Sequence, residues 1–212
     1  MKFHFGPRKK ENTEQISDAL VSTIAGSWYP DDPAELRAVI AEKLKNAGGP
    51  GANKVPNLLI LPHAGYDYSL ATAMYGIKTV INAPFKRVIV MAPGHRAWVA
   101  NQFVVPESMR VATPLGEIEL DLTAIERLRG RFPVVESDTV HRSEHAAQIQ
   151  YPLLQYALTD FKIVPIIFSR IDSAFVNDAV AALKSIIDDE TLIVISSDFT
   201  HFGRDFDFTG MY

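Results

Sequence analysis

Residues 87–95 read Arg87-Val88-Ile89-Val90-Met91-Ala92-Pro93-Gly94-His95. From Val88 to Ala92 every side chain is apolar, without the in-out alternation of a half-exposed strand, so this segment requires apolar cover on both faces, as the strands of parallel sheets do. The same design recurs in Val55 to Leu61, which leads into Pro62 and His63, and in Leu192-Ile193-Val194-Ile195, which leads through Ser196-Ser197-Asp198-Phe199-Thr200 to His201. Lys162 to Phe168 is a fourth run of this type. Helical spacing fills the intervals. Leu36, Val39, Ile40, Leu44 and Ala47 follow the capping pair Asp31-Asp32 and Pro33, Leu70, Ala73, Met74, Ile77 and Ile81 form a second stripe, and Phe175 to Ile187 carries a third. Leu122, Ile125 and Leu128 mark a short helix, and Glu144 to Leu158 reads as a helix kinked near Pro152, whose ring removes a backbone donor. Gln102–Val105 and Met109–Ala112 read as a β-rich insertion. The alternation predicts an α/β protein, a three-layer α/β/α sandwich with a largely parallel or mixed central sheet, with ligands expected beyond the carboxyl ends of its strands.

Composition narrows the chemistry. At 212 residues the chain has the length of one domain with an extension, read as an arm over residues 1–23 and a single domain over 24–212. A hydrophobic content of 47% supplies a real core, and a net charge of -4 leaves no positive excess for a nucleic-acid backbone. Arg8, Lys9 and Lys10 are not followed by an apolar stretch, so the start does not read as a secretory signal, and no run of apolar residues is long enough to span a membrane. A cytoplasmic protein is the expectation. Cysteine is absent, so a metal would be held by imidazole, carboxylate or backbone oxygen. The cluster Gly48-Gly49-Pro50-Gly51 reads as a linker, because no Gly-Lys-Ser/Thr follows it to make a phosphate loop.

The histidines carry the functional signal. One histidine after a strand is most often a loop residue bonded to a nearby carbonyl, but here three of the six follow predicted core strands at equivalent places. In a parallel sheet His63, His95 and His201 emerge on one edge, and imidazoles so gathered suit iron, copper, zinc or nickel. Asp198 stands three residues before His201 and reads as the carboxylate that orients it. Glu144 caps a helix start, and His145 beside it reads as a general acid or base. Catalytic roles thus fall to His145, Asp198 and His201. His4 and His141 read as solvated. Ser196 and Ser197 lie near Asp198 and His201, but without a Gly-x-Ser-x-Gly elbow a serine hydrolase is not indicated. Trp28, Tyr29, Tyr66, Tyr68 and Trp98 read as pocket-lining or packing aromatics.

Six segments together resemble the Memo-like family, which is related in fold to the LigB-type (class III) extradiol dioxygenases. They are Ala25-Gly26-Ser27-Trp28-Tyr29-Pro30, Pro62-His63-Ala64-Gly65-Tyr66, Ala92-Pro93-Gly94-His95, Thr113-Pro114-Leu115-Gly116, Glu144-His145 and Ser196-Ser197-Asp198-Phe199-Thr200-His201. The resemblance implies a LigB-like sandwich in which His63, His95 and His201 are the metal-site histidines. It implies Fe(II) as the metal, with copper or zinc as alternatives, and a redox or dioxygenase-type reaction on a small molecule. Two other functions are compatible with it: a non-catalytic module that binds a peptide or protein in the same cleft, and a metal-dependent hydrolase. A radical SAM protein is an implied partner. Family members usually continue beyond the Ser196–His201 motif and supply a cysteine or acidic residue from that region, and they usually carry glutamate where Gln148 stands. By this measure the chain is C-terminally short.

Overall fold

The computed structural model describes residues 18–48 and 55–204. His4, most of the amino-terminal arm and residues 49–51 of the glycine cluster lie outside that description. The first helix, α1 (Pro33–Asn46), begins as its sequence dictates: the Asp32 side chain accepts the Glu35 N–H at 2.8 Å, and proline occupies the first turn.

A six-stranded sheet forms the centre. In chain order its members are β2 (Leu58–Leu61), β3 (Arg87–Pro93), β4 (Phe103–Val105), β7 (Val134–Glu136), β8 (Lys162–Phe168) and β9 (Thr191–Ser196), and in space they run β2-β9-β3-β8-β4-β7. Every neighbouring pair is parallel except β4 with β8. The four apolar runs occupy the middle and one edge, where Val88, Ile89, Val90, Val164, Ile166, Leu192 and Val194 are fully buried. Helices flank the sheet, as the three-layer reading requires. The helices α1, α2 (Tyr66–Ile77) and α6 (Tyr151–Ala157) pack on one another, while α3 (Leu122–Arg129) packs on β8 and on α7 (Val176–Lys184).

Strand β2 shows how closely α2 fits. Leu59 and Leu61 are buried, and a Cβ on Gly76 of α2 would lie 2.7 Å from a Leu61 methyl, so glycine permits the approach. Leu58 and Ile60 point to the other face, in register with Ile193 and Ile195 of β9, and remain 47% and 48% exposed.

Three expectations change in detail. The presumed insertion divides between two sheets: Phe103–Val105 joins the central one, whereas β5 (Arg110–Thr113) pairs with β1 (Ala19–Val21) and β6 (Gly116–Glu119) in a small second sheet. The kinked helix is broken into α5 (His145–Gln148) and α6, with Pro152 in the first turn of α6, where no intrahelical donor is lost. Strands β1, β6 and β7 and the short α4 (Asp138–Ser143) have no counterpart in the sequence reading, because three to six residues carry too little periodicity to register.

Candidate metal centre

Parallel pairing sets Leu61 opposite Ser196 and Met91 opposite Ile195, so β2, β9 and β3 deliver their carboxyl ends to one place. The segments that follow these strands carry His63, Ser196 to His201, and His95. The connection from α4 to α5 adds Glu144 and His145.

His63 is 4% exposed. Its backbone N–H donates to Asp198 Oδ1 at 2.5 Å, its Nδ1 lies 3.1 Å from Ser196 Oγ, and its Nε2 faces Asp198 Oδ2 at 3.7 Å. His95 is held at two points by the buried Glu144 carboxylate: the backbone N–H donates to Oε2 at 2.6 Å and Nδ1 donates to Oε1 at 2.8 Å. His145 places its Nδ1 3.3 Å from that same Oε1 and stacks on Trp28, with ring centroids 4.3 Å apart. The three imidazoles converge. Centroid separations are 5.1 Å for His63 and His95, 5.4 Å for His63 and His145, and 4.9 Å for His95 and His145. One ring nitrogen from each lies within 4.8 Å of the other two.

The electrostatics prepare these rings to bind a cation. Burial pushes the His63 imidazole below its ordinary value despite Asp198, and burial does the same to His145 despite Glu144. Both are therefore neutral at pH 7, with a lone pair available. Burial pushes Glu144 upward, but hydrogen bonds from the His95 ring, the His95 N–H and the Ala146 N–H outweigh it and keep the group below its ordinary value. Asp198 behaves alike: burial raises it, and the His63 N–H with the nearby His63 and His201 rings outweighs that and lowers it. Three imidazoles beside a buried carboxylate form a nitrogen-rich set that fits iron, copper or zinc and does not fit magnesium or calcium.

Among the predicted site residues, His63 and His95 meet as expected, and the third ring beside them is His145. His201 stands outside the group, half-exposed, with Nε2 3.3 Å from Asp198 Oδ2. The physical reason lies in the connections. Glu144 docks directly on His95 and brings the next residue with it, whereas His201 sits five residues beyond β9, after a turn in which Phe199 takes φ 57°. Asp198 thus bridges His63 and His201.

His141 is corrected from solvated to buried. It is 1% exposed on α4, donates Nε2–H to the Val104 carbonyl at 3.0 Å, and leaves Nδ1 without a partner. Burial pulls its imidazole down to about 4. Tyr29 and Tyr66 are core residues, the Tyr66 hydroxyl donating to the Ile149 carbonyl at 3.1 Å, whereas Tyr68 and Trp98 are exposed. Gln148 uses both ends of its amide, accepting the Thr23 N–H at 2.8 Å and donating to the carbonyls of His141 and Glu144 at 2.9 and 3.0 Å. A glutamate there would lose both donations. The sequence reading missed Ser196 and Gln150 as supports of the site, because nothing in their spacing marks them, whereas Trp28, read as a pocket-lining or packing aromatic, stacks on His145.

The loop that carries His95 tolerates no side chain at Gly94. A Cβ there would lie 2.7 Å from Ser169 Oγ and 2.8 Å from the Ala97 carbonyl oxygen. Gly94→Ala is expected to destabilise the fold by about 1–3 kcal/mol and to displace His95, read as a lower melting temperature together with weakened metal binding. An unchanged melting curve would show that the loop yields freely.

A cleft of 690 Å³ lies at the opposite edge of the sheet, among Lys86, Arg87, Asp121 and Lys162. Its cations are already paired, Lys86 with Asp160 at 2.6 Å, Arg87 with Asp121 at 2.7 Å and Lys162 with Glu119 at 3.1 Å. Size does not mark the site here; converging chemistry does.

A family model described as Memo-like protein matches residues 21–212. A MEMO1 family protein of Schizosaccharomyces pombe is 34% identical over 197 residues, covering 89% of this chain and 62% of that protein. A MEMO1 family protein of Nitrosopumilus maritimus is 33% identical over 187 residues, covering 84% and 67%, and one of Saccharomyces cerevisiae is 29% identical over 208 residues, covering 89% and 61%. The chain spans about two thirds or less of the length of these curated relatives.

Proposed function

The chain belongs to the Memo-like protein family, and from that premise and the histidine geometry we propose that it is a metalloprotein whose centre performs oxygen-dependent, extradiol dioxygenase-type redox chemistry on a small molecule. His63, His95 and His145 would hold the metal, iron(II) foremost, with copper or zinc as alternatives. One observation carries this reading: three imidazoles from three separate segments bring nitrogen atoms within 4.8 Å of one another at the carboxyl edge of the sheet. The bound metal would supply Lewis acidity and a template for substrate oxygens.

The protein's own groups supply the rest. Glu144 and Ser196 fix the imidazoles from behind, and Trp28 covers the flank of His145. The His95 side chain, 41% exposed, marks the open side by which a substrate enters. Asp198 and His201, 3.3 Å apart at that rim, form a pair able to take a proton from an incoming hydroxyl and pass it to solvent.

A second reading is a peptide- or protein-binding module using the same edge. Tyr68, Trp98 and Phe199, on the segments that follow the three strands, are 86%, 76% and 77% exposed and present contact area of the kind interfaces favour. No described helix is long and apolar enough to cross a membrane.

Anaerobic loading of the purified chain with Fe(II), Cu(I) or Zn(II), followed by elemental analysis, tests the centre. Stoichiometric metal is expected in the wild type and in His201→Ala, and loss of it in His63→Ala, His95→Ala and His145→Ala. Oxygen uptake with catechols then separates redox chemistry from zinc-dependent hydrolysis. A folded wild type that takes up no metal would leave the binding module as the reading.

A further inference from the structure

We infer that Ser196 is a positioning residue that keeps the metal-facing nitrogen of His63 free of a proton. This rests on the reading of His63 as a metal ligand and adds the device that makes it one.

A neutral imidazole carries one proton, and the hydrogen bond made by one ring nitrogen decides the state of the other. His63 has an acceptor on either side. Asp198 Oδ2 lies 3.7 Å from Nε2, and Ser196 Oγ lies 3.1 Å from Nδ1. If Asp198 took the proton, Nε2 would become a donor and could not ligate. A serine hydroxyl is itself a donor or an acceptor, so its role depends on where its single proton goes. Here that proton is committed. Ser196 Oγ donates to the Ala146 carbonyl at 2.6 Å, and Gln150 Nε2 donates to Ser196 Oγ at 3.0 Å. The orientation of the Gln150 amide is fixed in turn, because its Nε2 also donates to the Pro62 carbonyl at 2.9 Å. Ser196 and Gln150 are 2% and 0% exposed, so water does not rearrange the network. Ser196 Oγ can therefore only accept from His63, which places the proton on Nδ1 and the lone pair on Nε2. The Ala146 carbonyl that holds the serine proton belongs to α5, the helix that also carries His145, so one hydroxyl joins the His63 and His145 segments.

Removing the hydroxyl takes away the side-chain partner of Nδ1 and leaves Asp198 as the side-chain acceptor facing His63 among the described residues. In Ser196→Ala the ring is expected to switch to the Nε2–H form, and Zn(II), used as the probe metal, should bind about 10- to 100-fold more weakly, the range typical when a ligand's outer hydrogen bond is lost. Ser196→Thr keeps the hydroxyl at a strand end and should restore both properties. The tautomer is read in metal-free protein at pH 8 by ¹⁵N NMR of the imidazole nitrogens, and affinity by competition with a chelating dye, with melting curves showing that each variant is folded. Nδ1–H in the wild type, Nε2–H in Ser196→Ala and Nδ1–H in Ser196→Thr establish the role. Wild-type His63 in the Nε2–H form, or an unchanged tautomer in Ser196→Ala, overturns it. Because the tautomer is measured without metal, a wild type that binds no Zn(II) defeats the metal-centre reading on separate grounds.

Discussion

Glu144→Ala is expected to lose at least 10-fold in metal affinity and about 3 kcal/mol or more in stability. The carboxylate is 1% exposed, and its two oxygens accept from the His95 N–H at 2.6 Å, the His95 ring at 2.8 Å and the Ala146 N–H at 3.2 Å, with the His145 ring 3.3 Å away. Truncation takes the acceptor from three donors, of which the His95 and Ala146 N–H groups face the buried carboxylate, and a donor left buried without a partner costs its desolvation. It also frees both His95 and His145 to rotate. Glu144→Gln separates the two losses, because the amide fills the volume but cannot accept at both ends. The glutamine variant should retain most of the stability and still bind metal about 10-fold more weakly. Equal metal affinity in wild type and both variants would show that Glu144 is only the cap of α5.

Acidification from pH 6.5 to 4 is expected to remove about 3 kcal/mol of stability through His141 alone. This imidazole falls from an ordinary value of 6.5 to about 4 because burial disfavours its charged form. The unfolded chain therefore takes up a proton first as pH drops, while the native state declines it until about 4. The stabilisation is complete above the unfolded value and is lost progressively toward the native one. His63 and His145 are shifted in the same direction by burial and steepen the decline. Glu144 and Asp198, held below their ordinary values, add their own loss only at the acid end of the window. Urea melts of the metal-free protein between pH 7 and 4.5 give the slope. His141→Gln keeps a donor for the Val104 carbonyl and does not titrate, so its stability should vary much less with pH over this range. Parallel slopes for variant and wild type would assign the acid sensitivity elsewhere.

Much of the fold is legible in the chain because its central strands are apolar on both faces. Such segments are set between layers of helix, and in that setting β2, β9, β3 and β8 run parallel and send His63 and His95 to the same edge. The short strands β1, β6 and β7 escape this logic. They are edge or second-sheet elements of three or four residues, placed by partners distant in sequence. His141 shows the same limit in a side chain: nothing local to it announces burial, which arises because α4 packs against β4.

By itself the sequence determined the layer architecture, the lack of cysteine within these 212 residues, and the supply of imidazoles after the core strands, since each of these follows from residue type and short-range spacing. Tertiary structure decided which third imidazole joins His63 and His95, and through which hydrogen bonds each ring is held. That choice turns on Glu144 reaching across to His95 and on Ser196 reaching the Ala146 carbonyl, bonds between residues 49 and 50 positions apart in the chain. Short-range periodicity carries no information about such a meeting, because it is set by how the strands and helices pack together and by where buried polar groups can find partners.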